Sequence, residues 1–597
     1  MGRFLLAWVV LTAIGSIAVY ASFRIAEVPL PAPAAQRWAL AALAAARAGS
    51  ALPKAPAEAE RHRTDGPTIV IAWFHGRVQA RHVGGPRFAD SIRRAAAGFA
   101  RDPRLRAIPP PLASGADPLH FTVAVTSASA PLIRDVPWLS NLGVVPMVEG
   151  LVAELDGKRA YLTPDELQAD GLLDRVVTPI PDLAFGLDLN TAERRLAEQL
   201  GMAHAQLRSA GSVRRFRSRA LLAHAYPSGE RVNLTTLERA ARQGAEFLLR
   251  HQHPTGRYTY VYRADSGQEA MARYNLPRHS GTTYFLAQAS RVLDMPEARA
   301  GALRALRFLR AGALRRCGGD EQLCVSDGEI ADMGAAALTA LAAAELLRDG
   351  DDPFVRRMLL GLTRFIRSMQ REDGELMHVY DLRTDRPIDV QKLYYSGEAA
   401  YALLASYRVF RDERDLTAAK RLMRHLTGAG WSFFGSRYFY GEEHWTCQAV
   451  SQAALFIRGL DQGMDFCTRW LEFQRVLQYG PDHTPWPVDG AIGVGPLLVP
   501  RLTTVASRTE TGAMFYPAAK RAGQDTRALR AQVEASLGFL LRMRWAPGPV
   551  HLLFDPQAAF GGVPGSPTSL EVRNDFVQHA GSAMLLWAEV LREERQH

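Results

Sequence analysis

Lysine is nearly missing from this chain: five of the 71 lysine-plus-arginine residues are lysine, and the arginines that make up the rest are spread along the sequence. The formal charge of +10 therefore forms no basic stripe, and no nucleic-acid-binding motif accompanies it. A nucleic-acid partner is disfavoured, whereas an anionic glycan or a membrane surface stays open. Cysteine is almost as scarce, with four in 597 residues and no Cys-x-x-Cys. Only Cys317 and Cys324 lie near each other, across Gly318-Gly319, and they read either as a disulfide of an oxidising compartment or as two thiols. The His251/His253 pair lacks further ligands at metal-site spacing, so neither a metal nor a cofactor is expected.

Apolar runs long enough to cross a bilayer are absent but for one. Phe4 to Phe23 carries no charge and is bracketed by Arg3 and Arg24, and ~20 such residues suffice for a span. Val-Tyr-Ala ending at Ala21 offers a cleavage site, yet a secretory h-region is usually only ~7–15 residues, so residues 1–26 are read as a transmembrane anchor or signal segment, with the uncleaved anchor favoured. The bulk of the chain is expected on the periplasmic or extracytoplasmic side of an inner membrane. Residues 27–65, rich in Ala and Pro, read as a linker, with Gln36 to Ala46 able to form a helix.

What the chain does contain, at 47% hydrophobic and 22% charged, is globular and too long for one ordinary domain. From Thr68 the pattern is that of strands. Thr68–Phe74 is β-branched and aromatic, His75-Gly76 marks a turn, and Arg77–Val83 pairs back. Phe88–Ala100 has a helical stripe, His120–Thr126 alternates, and Asp156-Gly157 between Gly150–Leu155 and Arg159–Leu162 signals a two-residue hairpin. A helix near Thr191–Leu200 and a strand near Phe216–His224 complete a small α+β domain over residues 66–225. In Ala95–Leu105, His120–Thr126, Gly150–Thr163 and Leu196–Gly201 it resembles the AMMECR1-like domain family. It departs from that family where an Arg-Gly-Cys-Ile-Gly motif would stand, holding Gln79-Ala-Arg-His-Val-Gly-Gly85 instead. The resemblance implies a fold and no particular reaction.

Residues 230–597 repeat a theme. Six helix starts read His279-Ser-Gly281, Asp332-Met-Gly334, Tyr395-Ser-Gly397, Trp445-Thr-Cys447, Glu510-Thr-Gly512 and His579-Ala-Gly581, at intervals of 53, 63, 50, 65 and 69 residues. Each is followed by small and apolar residues, and each interval holds a second amphipathic helix. Self-similarity at a steady spacing signals a repeat architecture. The fold expected is mainly α: a toroid of six inner and six outer helices, preceded by the α+β domain and the transmembrane helix. Outer helices are expected near Thr235–His251, Glu297–Ala311, Pro353–Met369, Glu413–Leu426, Gly463–Leu477 and Thr526–Met543. Connections from inner to outer helix are short and those from outer to inner are long. Long ordered loops are commonly functional. The long ones carry Tyr258, Tyr260, Tyr262, Trp431, Phe433, Phe434, Tyr438, Tyr440, Trp486 and Phe554, all on the rim where the inner helices begin.

Two residues before each glycine or cysteine stand His279, Asp332, Tyr395, Trp445, Glu510 and His579, with Arg278, Glu398, Glu442, Glu443, His444, Asp575 and Gln578 nearby. Converging on one axis, they form an acid/base site, because a partly dry pocket drives two carboxylates to different pKa values. Asp332, Glu510 and Asp575 serve equally well as helix caps. Glu398 is different, for it lies inside the first turn of a small, apolar helix, where a charge without a task is costly. The expected catalytic residues are Asp332 and Glu398 as the acid/base pair, with Glu443 or Glu510 as an alternative member. Arg278, His279, His444, Asp575 and His579 are expected to bind substrate, and Tyr395 and Trp445 to stack on it. His378 and Asp381 are secondary candidates.

The hairpin phrase Tyr394-Tyr-Ser-Gly-Glu-Ala-Ala-Tyr-Ala-Leu-Leu404 and Arg411-Asp-Glu-Arg-Asp-Leu-Thr-Ala-Ala419 resembles the six-hairpin (α/α)6 glycan enzymes, which hydrolyse, eliminate or epimerise sugars. That resemblance implies a poly- or oligosaccharide partner, anionic ones included, with hydrolysis ahead of elimination or epimerisation. The competing class is a non-catalytic envelope binding or assembly protein on a toroid scaffold. Gln252-x-x-x-Gly256 and Gln370-x-x-Asp-Gly374 also resemble the repeat ends of terpene-cyclase toroids, a likeness not taken further for want of that family's acid motif.

Overall fold

A computed structural model describes residues 25–109, 118–134, 143–173, 186–222, 230–270, 274–428, 443–481, 488–493, 499–546 and 549–596. The expected span at Phe4–Phe23 lies outside these. Among the described residues no helix is long and apolar enough to cross a membrane.

The first domain is built on an antiparallel sheet of β1 (Thr68–Phe74), β2 (Arg77–Val83), β3 (Leu119–Thr126), β4 (Ala130–Pro131), β5 (Glu149–Leu155), β6 (Lys158–Leu162) and β7 (Ser212–Leu222). The strand order is β2-β1-β3-β7-β5-β6, with β4 beside β7. His75-Gly76 and Asp156-Gly157 turn its two hairpins, all four residues at positive φ, the geometry that a tight two-residue hairpin requires.

The stretch expected as a linker belongs to this domain. Helix Pro33–Arg47 buries Trp38 and Leu43 beside Phe88 and Ile92 of helix Phe88–Arg101, over Val70, Ala72, Val123 and Val125 of the sheet. Helix Leu189–Leu200 covers β5 and β6. The alternate residues Ile69, Ile71 and Trp73, with Val152, Tyr161 and Phe216, face the other way and join the core of the helical domain. There Trp73 packs edge-on to His551, His551 Nε2 lies 3.1 Å from Asp165, and Gln168 donates to the Pro567 carbonyl at 3.2 Å.

The helical domain is a closed double ring. Inner helices Leu276–Leu293, Met333–Arg348, Tyr395–Phe410, Glu443–Ala453, Leu502–Arg521 and Asn574–Gln596 pack each on the next, and the sixth packs on the first. Outer helices Leu234–Arg250, Pro296–Gly312, Pro353–Ser368, Glu413–Thr427, Asp461–Val476 and Arg527–Met543 surround them, each start and end within two residues of its sequence expectation.

The recurring glycines are close approaches. A Cβ on Gly334 would lie 2.3 Å from Tyr395 and 2.8 Å from Glu398, on Gly397 2.9 Å from Trp445, and on Gly581 2.2 Å from Phe285. A second set clasps the outer ring. Gly256, Gly374, Gly490 and Gly561 sit at φ +86 to +95°, and Cβ atoms there would meet the carbonyl oxygens of Arg304, Arg421, Ala535 and Gln243 at 2.1–2.8 Å. Gln252, Gln370 and Gln478 finish the first three clasps, donating to their own loop glycine and to a carbonyl of the next outer helix.

The long loops hold strands too short to read in sequence. Five of them, from Leu314–Arg316 to Arg386–Ile388, form one sheet, and Glu571–Arg573, Val261–Arg263 and Gln268–Ala270 form another. All four cysteines are in disulfides. Cys317–Cys324 lies in the loop between helices Pro296–Gly312 and Met333–Arg348, and Cys447–Cys467 joins the fourth inner helix to its outer partner.

Candidate active site

At the rim where the inner helices begin, a cleft of about 360 Å³ opens toward the ring axis. Eight of the residues singled out in sequence line it: Arg278, Tyr395, Glu398, His444, Trp445, Asp575, Gln578 and His579.

Glu398, one residue beyond Gly397, lies where the second and third inner helices touch. It is 5% exposed, and its Oε2 has no hydrogen-bond partner. Burial, and then the negative charge of Asp332, push its pKa well above the ordinary glutamate value and so favour the protonated carboxyl.

Across the cleft, His579 Nδ1 lies 2.7 Å from Glu510 Oε2, while the other Glu510 oxygen is buried without a partner. Burial lowers the basicity of His579, but Glu510 and Asp575 more than offset it, and the imidazole titrates above its ordinary value. Glu510 itself is fully buried, well inside helix Leu502–Arg521, and so is no N-cap. Its one paired oxygen faces His579. The His444 ring stands 6.0 Å from that of His579, beside Trp445 and Tyr394.

Asp575 is a counter-ion. Arg573 donates to both its oxygens, and Arg278 Nε donates to Oδ2 at 3.0 Å. Burial pushes its pKa up, yet the two arginines overcome this and hold it below the usual range. Arg278 also donates to the Tyr260 hydroxyl at 2.6 Å.

Asp332 does not line the cleft. It caps its helix through the Ala335 amide at 3.2 Å and accepts from Lys392 Nζ at 2.9 Å and the Tyr395 hydroxyl at 3.0 Å, so both its oxygens are engaged.

His279 is corrected more sharply. It is fully buried on the side facing helix Pro296–Gly312, where Nδ1 accepts from the Tyr274 hydroxyl at 2.7 Å and Nε2 donates to the Ala305 carbonyl at 3.1 Å. Burial pushes its pKa down to about 4, and it is a neutral structural residue away from the cleft. Glu443 begins the fourth inner helix, but its side chain lies outside the described residues, as does Glu442.

The secondary candidates are also structural. His378 Nδ1 accepts from the Lys392 amide and Nε2 donates to Ser396 Oγ at 2.7 Å, while Asp381 caps the turn at Arg383. Of the loop aromatics, Tyr258 and Tyr262 are buried anchors and Phe554 stacks on His75. Trp431, Phe433, Phe434, Tyr438, Tyr440 and Trp486 lie outside the described residues.

Sequence reasoning passed over Lys392, Tyr394, Arg508 and Arg573, which also line the cleft. Tyr394 holds φ +74° at the start of the third inner helix, a strained conformation for an aromatic residue and one that concentrates at functional sites. It also passed over one Asp-x-Asp-Asp run, Asp349–Asp352. That run forms a short inner-to-outer turn, where Asp349 accepts from Ser290, Asp351 pairs with Arg356 and Asp352 caps helix Pro353–Ser368. Among the described residues no group of three or more His, Cys, Asp or Glu side chains could hold a metal ion.

No family model and no curated protein matches the sequence. Solved structures similar to it include a D-mannose isomerase (12% identity, TM-score 0.44, covering 61% of this chain and 99% of that one). A cellobiose 2-epimerase from Bacillus thermoamylovorans matches at 13% identity and TM-score 0.46, over 60% of this chain and all of the other. An alpha-1,6-mannanase from Salegentibacter matches at 12% and 0.42, over 60% and 99%.

Proposed function

We propose that this chain is a carbohydrate-processing acid/base enzyme, with hydrolysis as its reaction. The observation that carries the reading is Glu398: a carboxyl kept protonated by burial, with an unpaired oxygen, in a cleft across from a histidine backed by a carboxylate. Aromatic faces at Trp445 and Tyr394 beside the polar side chains of Asn275, Ser507 and Gln578 suit a ring that is apolar on its faces and hydroxylated at its edge. In hydrolysis Glu398 gives its proton to the leaving oxygen as the glycosidic bond breaks. A water attacks the anomeric carbon and yields its proton to His579, whose cation Glu510 stabilises; proton return to Glu398 resets the site.

A second reading rests on the pair His444 and His579. Two imidazoles flanking one cleft suit removal of a proton from carbon on one face and its return on the other, which is epimerisation.

We further propose that the Phe4–Phe23 run anchors the chain and that the folded bulk is extracytoplasmic, a placement supported by two disulfides and no free cysteine among the described residues. The AMMECR1-like character of the first domain likewise remains a proposal, supported by its order of elements.

The test is a product screen of the full-length protein against neutral and uronic-acid glycans in D2O, with Glu398→Gln in parallel. Cleavage that the variant loses supports hydrolysis, and solvent deuterium at a carbon of recovered sugar supports epimerisation. Thermal stabilisation without products, unaltered in the variant, would favour a binding protein instead.

A further inference from the structure

Arginines that look scattered in the sequence collect on one layer of the fold. Residues 25–109 hold 13 Lys and Arg against 6 Asp and Glu, so this short part of the chain supplies seven of its ten net positive charges. Helices Pro33–Arg47, Ala57–Arg61 and Phe88–Arg101 pack together over one face of the sheet. Helix Pro33–Arg47 contains no acidic residue, and it turns Arg37, Ala41 and Ala44 outward. Helix Phe88–Arg101 turns out Arg94, Ala97, Gly98 and Arg101, continued by Arg104 and Arg106.

The acids of the layer are largely spent. Glu60 and Asp90 bind Arg93, and Asp102 binds Arg104. Arg37, Arg61, Arg94, Arg101 and Arg106 have no carboxylate partner among the described residues. The chain enters this layer without slack: Ile25 and Val28 are buried, and Glu27 pairs with Arg217.

We propose that the outer surface of this helix layer lies against a bilayer and binds anionic phospholipid headgroups. The inference rests on the anchoring proposed above. A span ending near residue 23, followed at once by packed structure, leaves no stalk to lift the domain away, and the surface thus held at the headgroups is small and arginine-rich, with Glu58 its exposed acid outside an ion pair among the described residues. Arginines near an anionic leaflet are attracted within about a Debye length.

The test uses the full-length chain with Ala97→Cys carrying an environment-sensitive fluorophore, since the four native cysteines are disulfide-bonded. The chain is placed in nanodiscs of phosphatidylcholine alone or with phosphatidylglycerol. The expected result is a blue shift confined to the anionic discs, reversed by salt and abolished by Arg94→Glu/Arg101→Glu/Arg106→Glu, with incorporation into discs unchanged. No shift, an equal shift in neutral discs, or a shift produced by a soluble anionic polysaccharide on neutral discs would overturn the proposal. A chain that does not enter discs at all would overturn the anchor, and this surface with it.

Discussion

At the scale of single residues, two groups in the cleft have raised pKa values for different reasons, Glu398 by burial and His579 by a neighbouring carboxylate. Burial favours the protonated form of Glu398, and Glu510 favours the protonated form of His579. Activity is expected to rise with pH as His579 deprotonates, above its ordinary value of 6.5, and to fall as Glu398 ionises. Glu510→Gln removes the charge that raises His579 and leaves burial to lower it, so the acidic limb of kcat/KM against pH should move to lower pH. An unmoved limb would remove Glu510 from this role. Glu398→Gln should reduce turnover by ~10²–10⁴-fold, the usual worth of a general acid.

The same residue makes a stability prediction of opposite sign. A carboxyl whose folded pKa is raised contributes stability below the unfolded value, 4.5, and loses it as pH rises toward the folded one. Glu398→Gln should therefore melt higher than wild type at pH 8, with the difference shrinking toward pH 4. His279 behaves oppositely: with its pKa near 4 against 6.5 unfolded, its stability is present above pH 6.5 and lost as pH falls toward 4. In His279→Gln the melting temperature should fall less steeply across that window.

At the scale of elements, the inner helices were legible because close packing leaves a trace in the sequence, a glycine wherever a neighbouring helix presses in. Which residue faces the cleft was less legible, since one step along a helix turns the side chain by about 100°. His279 and Arg278 differ by that step, and only Arg278 reaches the cleft. The loop strands escaped notice because three to five residues carry too little alternation to read, yet they set Asp332 and Arg573 on the rim. Cys447–Cys467 was missed because Cys447 was read as a small residue at a packing position, which it also is.

The glycine clasps test this level. Gly490→Ala introduces a side chain at φ +86° against a backbone oxygen and should cost at least ~1–3 kcal/mol. Gly459→Ala, at φ +72° with nothing within 4 Å, bears only the backbone strain. Equal melting temperatures for the two variants would show that the clasp contributes little.

At the scale of the whole molecule, the ring and the α+β domain share one core, because β1 sends Ile69, Ile71 and Trp73 into the toroid while Val70 and Ala72 meet helix Pro33–Arg47 and its neighbours. The Ala-rich sequence of that helix hid this role; with few large side chains and no charge alternation it looks like a stalk, although alanine is what allows it to lie so close to helix Phe88–Arg101. A fragment beginning at residue 61 removes Trp38 and Leu43 from the core and should aggregate, whereas one beginning at residue 25 should remain monodisperse in size-exclusion chromatography.

The central claim, an acid held protonated in the cleft, can be tested before any substrate is known. The infrared difference spectrum between wild type and Glu398→Gln at neutral pH should contain the carbonyl band of one protonated carboxylic acid, present in wild type and missing from the variant. A difference spectrum showing only the bands of a carboxylate would mean that Glu398 is ionised and would contradict its assignment as the proton donor.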